Sequence, residues 1–138
     1  MNIYFFILVN HFVADFLFQT DKMATKKSSS NKWLTVHALT YILAMSPIGF
    51  YLDYEKYGHF IFWGWGVGSS WWIINLILHW CTDFCTSRLT SYLWVKGTSD
   101  PNGTFIGGSW RHWFFSAIGG DQVLHYFCLF FTYQYFVK

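Results

Sequence analysis

The stretch WWIINLILHWCTDF, residues 71–84, is apolar along most of its length yet carries His79 and Asp83 four residues apart. On a helix that spacing returns to nearly the same face. Ionisable side chains set into an otherwise apolar helix face a protein interior or a polar cavity, where partners offset their desolvation. Two further pairs repeat the spacing: His11/Asp15 near the start and, in reversed order, Asp121/His125 near the end. His37 lies in a fourth apolar run.

The chain around these pairs is 54% hydrophobic, 25% aromatic and only 12% charged. A soluble domain carries roughly 25% charged residues. A chain of 138 residues could not bury so many rings in one core, so lipid is expected to cover them. The net charge of +2, spread through short connecting stretches, excludes a nucleic-acid partner. Cys81, Cys85 and Cys128 are odd in number and sit in apolar segments, which suits small-hydrophobe packing better than a disulfide framework. The N-terminus lacks a basic n-region and a small-residue cleavage site, and is expected to remain as a first helix.

Hydropathy divides the chain into helices over about residues 3–19, 33–51, 71–92 and 111–136. Between the first two lies a basic stretch from Thr20 to Lys32, read as a loop; Ser46 and Pro47 place a tolerable kink late in the second helix. The aromatic, glycine-rich segment from His59 to Ser70 suits a membrane interface, and Ser99 to Gly103 form a turn-rich loop. The expected fold is therefore an all-α membrane protein, a single transmembrane domain over residues 1–138 with four transmembrane helices in a bundle. His11-Phe-Val-Ala-Asp15-Phe16 and His79-Trp-Cys-Thr-Asp83-Phe84 share a local pattern, which suggests two pseudo-repeated helical hairpins. Lysine and arginine concentrate in the first and third loops, which places those loops in the cytoplasm and both termini outside.

With that orientation all three aspartates lie on the cytoplasmic side of their histidines: a carboxylate layer with imidazoles about 6 Å beyond it, and His37 near the carboxylates. Imidazole and carboxylate groups projecting inward from facing helices are how bundles build metal sites, including two-metal ones. His11, Asp15, His79, Asp83, Asp121 and His125 are the expected ligands of one or two divalent ions, with Zn, Fe or Mn suited to these donors. His37, Asp83 and Asp121 are the expected catalytic groups, His37 as ligand or proton relay. Gln19 and Gln122 lie near the same faces and are expected to support the ligands or contact substrate. An isolated His/Asp pair would more simply fix helix packing and bind nothing; the convergence of the pairs with His37 favours a metal. His59 and His112, beside interfacial tryptophans, are not expected to be ligands.

The run His11-Phe-Val-Ala-Asp15-Phe-Leu-Phe-Gln19-Thr-Asp21-Lys-Met23-Ala resembles an uncharacterised family of small bacterial and phage integral membrane proteins, a domain of unknown function with an H-x-x-A-D-F-x-x-Q-T-D-x-M-A motif. His37, His79-Trp-Cys-Thr-Asp83 and Asp121-Gln122-Val-Leu-His125 look like its remaining motifs. The resemblance supports the site residues and implies multi-pass residence in the bacterial inner membrane, without naming an activity. Helix number and buried ligands are loosely similar to membrane-bound metal-dependent hydrolases. The leading expectation is thus a membrane-embedded metal-dependent hydrolase of a lipid or isoprenoid ester or phosphoester, with membrane lipid as its partner. The alternatives are a proton or ion channel or transporter using the same residues, and a membrane interaction protein with a structural cluster. A bundle this small also invites homodimerisation in lipid.

Overall fold

Asn2 begins the first helix, its side-chain oxygen accepting the Tyr4 N–H at 3.0 Å. In the computed structural model, which describes residues 2–61, 65–97 and 108–138, helix α1 (Ile3–Phe12) then runs into a π-helical segment, Val13–Leu17. Thr20 caps α2 (Asp21–Lys26), its hydroxyl accepting the Met23 N–H. Helices α3 (Asn31–Ala44) and α4 (Ser46–Tyr57) follow, broken from one another at Met45 and bent by 44°. Two long helices complete the fold, α5 (Val67–Gly97) and α6 (Gly108–Val137), which pack along one another. Among the described residues there are thus six α-helices and no strand.

This architecture corrects the four-span bundle expected from hydropathy. No described helix is by itself both long and apolar enough to cross a membrane. The apolar run Ile3–Leu17 stops short of the ~17 residues a span needs. Helices α5 and α6 have the length, 31 and 30 residues, but Asn75, His79, Asp83 and Arg88 interrupt the first, and Arg111, Asp121, Gln122 and His125 the second. Among the described residues, only α3 and α4 taken together reach span length and apolarity, across their bend. Pro47, in the first turn of α4, explains the break, since it has no N–H to continue the α3 ladder.

The expected hairpin repeat also fails. The first half is divided into α1, the π segment, α2, α3 and α4, whereas the second is two long helices. The stretch from Thr20 to Lys32, expected as loop, contains α2, and the segment expected at the interface is already helical from Val67. The expected turn from Ser99 to Gly103 and residues 62–64 lie outside the described residues.

Ile7, Tyr41, Met45, Ile48, Trp71 and Leu129 form the heart of the core, drawn from α1, α3, α4, α5 and α6. The α4–α5 junction is held by Asp53, buried to 1% exposure, whose carboxylate accepts the Gly68 N–H at 2.8 Å. Gly68 packs directly on the Gly49 carbonyl, so neither helix has room there for a side chain. Asn75 and Thr132 hydrogen-bond side chain to side chain at 3.0 Å and join α5 to α6. Outside, Phe5, Leu8 and Phe12 of α1 and Val123, Phe127 and Phe131 of α6 remain exposed.

Candidate metal centre

The straight course of α5 keeps Asn75, His79, Asp83 and Ser87 on one buried stripe, each four residues from the next. Helix α6 offers Asp121 and His125 opposite it, and α3 contributes His37. The first segment contributes differently. Its turn widens to i→i+5 bonding at residues 13–17, with Phe18 N–H donating to the Val13 carbonyl at 3.1 Å. His11 and Asp15 therefore do not share one α-helical register; both reach Gln122, but His11 also meets Tyr41 whereas Asp15 also meets His37.

Asp15, His37, His79 and Asp83 bring one ligand atom each to within 4.8 Å of all the others. His37 Nε2 is the hub, 3.0 Å from Asp15 Oδ1 and 3.1 Å from Asp83 Oδ2. It also lies 3.2 Å from His79 Nε2. The Tyr41 ring stacks on the His79 imidazole with centroids 3.7 Å apart and fixes its plane. Asp83, Asp121 and His125 form a second group of the same kind. His125 donates from Nδ1 to the Asp121 main-chain oxygen at 2.9 Å, leaving the lone pair of Nε2 facing Asp83 Oδ1 at 3.6 Å. Asp83 thus belongs to both groups, through a different oxygen in each.

Gln122 orders the carboxylates from behind. Its amide nitrogen donates to Asp15 Oδ2 and to Asp121 Oδ2, each at 3.1 Å. Its oxygen must then accept, so His11 Nε2–H donates to it at 3.0 Å and His11 Nδ1 accepts from the Tyr41 hydroxyl at 3.0 Å. Both His11 nitrogens are occupied, and His11, expected among the ligands, stands in neither ligand group. Thr86 donates to Asp121 Oδ1 at 2.5 Å. Gln19 lines the adjoining cavity, its side-chain oxygen without a hydrogen-bond partner among the described residues. His59 and His112 are exposed and stand in neither ligand group.

Reading the sequence missed Lys27, at the end of α2. Its Nζ lies 2.9 Å from Asp83 Oδ2 and 3.5 Å from His37 Nε2. Burial disfavours the ammonium, but the Asp83 and Asp15 carboxylates outweigh that effect and hold its pKa above the ordinary lysine value. The basic stretch had been read only for orientation. The available signal was Thr20-Asp21, an N-cap residue followed by an acidic first turn, which marks a helix start and so places Lys27 at its end.

A cavity of about 500 Å³ opens beside the centre, lined by Asp15, Asp83 and Asp121 and by no histidine among the described residues. The carboxylates face the cavity and the imidazoles stand behind them. Chemically, this buried His/Asp cluster could hold a metal ion with positions left open toward the cavity.

Comparison with curated proteins and with solved structures returns no match. One family model covers residues 3–138, almost the whole chain. The chain therefore belongs to the family described as protein of unknown function (DUF3307).

Proposed function

We propose that the protein is a metal-dependent hydrolase whose centre would hold two divalent ions, with Asp83 offering an oxygen to each ligand group. The observation that carries this reading is the division of Asp83 between the two ligand groups, Oδ2 toward His37 and Oδ1 toward the free lone pair of His125 Nε2. Two acceptor atoms turned toward one another in a buried site require a cation or a proton between them, and a carboxylate bridging two ions is a usual component of two-metal sites. The nitrogen and oxygen donors suit Zn, Fe or Mn.

Bound ions would lower the pKa of a coordinated water and offset charge on an ester oxygen. The chain's own groups supply the remainder. Gln122 fixes two carboxylates, Tyr41 fixes the His79 ring, and Asp121, the most exposed of the three aspartates, faces the cavity as the group that receives a proton from water. In hydrolysis the water oxygen bonds to the acyl or phosphoryl centre and the bond to the alcohol oxygen breaks. One water proton ends on that alcohol.

The substrate class we propose is a lipid or isoprenoid ester or phosphoester, and the location the bacterial inner membrane, with lipid against the apolar faces of α1 and α6. The exposed Phe5, Phe12, Phe127 and Phe131 support this, since large apolar side chains left exposed call for an apolar partner. A second reading, a proton or ion relay, is favoured by the hydrogen-bonded run from Tyr41 through His11 and Gln122 to Asp121 and Thr86.

The test is turnover of lipid esters and phosphoesters in detergent micelles by metal-loaded protein. The hydrolase reading expects activity that a chelator abolishes and Asp121→Asn reduces at least about hundredfold. Metal-independent proton flux across proteoliposomes, with no turnover, would replace it with the relay.

A further inference from the structure

The cavity beside the metal centre has a chemistry more specific than that of a general ester site. Resting on the two-metal reading above, we infer that it binds the dianionic head of a phosphate monoester, with Lys27 and Ser87 as its contacts from the chain.

The first ground is charge. Asp15, Asp83 and Asp121 bring three negative charges to the cavity wall. Two divalent ions and the Lys27 ammonium outweigh them by two positive charges, which a phosphate monoester dianion balances and a neutral carboxylic ester does not. Lys27 and a metal ion both compete for Asp83 Oδ2, because the ammonium already sits 2.9 Å from it. An ion in the first ligand group would compete with the ammonium for this carboxylate. Among the described residues that line the cavity, Lys27 is the cation.

The second ground is independent of charge. Ser87 is 92% buried by its 8% exposure, and its hydroxyl has no hydrogen-bond partner among the described residues. It lies one helical turn beyond Asp83 on the same stripe of α5 and lines the cavity. A buried hydroxyl left without a partner is costly, and an acceptor that comes within its reach from the cavity removes that deficit. Ser91 lines the cavity a further turn along. A phosphoryl group, with three terminal oxygens, can accept from the ammonium and from hydroxyls while still facing the ions.

Beyond the polar end, Trp94, Phe114 and Ile118 form an apolar wall. The monoester's organic group would lie along this wall. The volume, about 500 Å³, falls in the range of small-molecule sites.

The experiment has two stages on the full-length protein. Metal content is measured first, and absence of metal overturns both this inference and the hydrolase reading. Protein that retains its ions is then titrated with inorganic phosphate by calorimetry. Phosphate should bind, and Ser87→Ala and Lys27→Gln should each weaken it about tenfold or more at unchanged metal content. Lys27→Arg, which keeps the charge, should restore most of the lost phosphate binding. Metal-loaded protein that ignores millimolar phosphate, or binds it equally in both variants, would overturn the inference alone. A parallel titration with a lipid phosphate monoester in micelles separates the sources. Tighter binding than inorganic phosphate assigns a lipid headgroup, and equal binding assigns free phosphate, each within the same phosphoryl chemistry.

Discussion

Lys27 Nζ lies 2.9 Å from Asp83 Oδ2, bringing the end of α2 onto the middle of α5 across 56 residues of chain. In this arrangement the ammonium neutralises a carboxylate that is 1% exposed. Breaking a buried pair leaves an uncompensated charge, so Lys27→Gln should destabilise the metal-free protein by about 2–4 kcal/mol. The same change removes a competitor for Asp83 and should tighten divalent-metal binding about tenfold or more. Thermal unfolding with and without metal checks both signs: the variant should melt lower when stripped and recover most of the loss when loaded.

His11 should prove structural. Both of its nitrogens are engaged, by Tyr41 and Gln122, so His11→Ala leaves two buried polar groups without partners and should cost about 2–4 kcal/mol of stability. Metal stoichiometry at saturation should stay at the wild-type value. Loss of a full ion in a variant shown to be folded would return His11 to the ligand set.

The α4–α5 junction tolerates no added side chain. A Cβ at position 68 would meet the Gly49 carbonyl and the Asp53 carboxylate, and backbone cannot yield as a flexible side chain can. Gly68→Ala should therefore destabilise by about 2–3 kcal/mol or more. Asp53→Ala removes the acceptor for the Gly68 N–H and should cost about 1–2 kcal/mol, as loss of a helix N-cap does. Chemical denaturation of the two variants gives the order directly, and a neutral Gly68→Ala would refute the close approach.

Metal affinity should fall with acidity. Imidazole and carboxylate donors bind metal in their deprotonated forms, so protons compete with the ion. With three histidines and three aspartates across the two groups, affinity at pH 5 should be at least about tenfold weaker than at pH 7.5. Metal titrations at the two pH values, followed by return of the acid sample to pH 7.5, separate this competition from unfolding.

Much of the site was legible in the sequence because α5 and α6 are regular. Residues four apart on an unbroken helix share a face, so His79/Asp83 and Asp121/His125 could be placed from spacing alone. The same rule does not set the relation of His11 to Asp15, since the π segment at residues 13–17 changes the period between them. No composition signal marks that widened turn. Lys27 was overlooked for another reason: a basic stretch was judged by its charge, while Thr20 was already signalling the helix that carries the lysine inward. The fold was less legible. Ser46 and Pro47 marked the bend between α3 and α4 as a kink, but apolar content did not locate the change of helix at Phe12, because hydropathy averages over a window and helix ends depend on single residues.

The central claim is that Asp83 bridges two ions, and metal content by mass spectrometry tests it most directly. Wild-type protein, Asp83→Asn and His125→Ala would be purified together, each checked for native helix content. The account predicts two ions per chain in the wild type, one in His125→Ala, and less than one in Asp83→Asn, since only Asp83 belongs to both ligand groups. A folded wild type that holds no ion, or an Asp83→Asn variant that loses no more metal than His125→Ala, would contradict it.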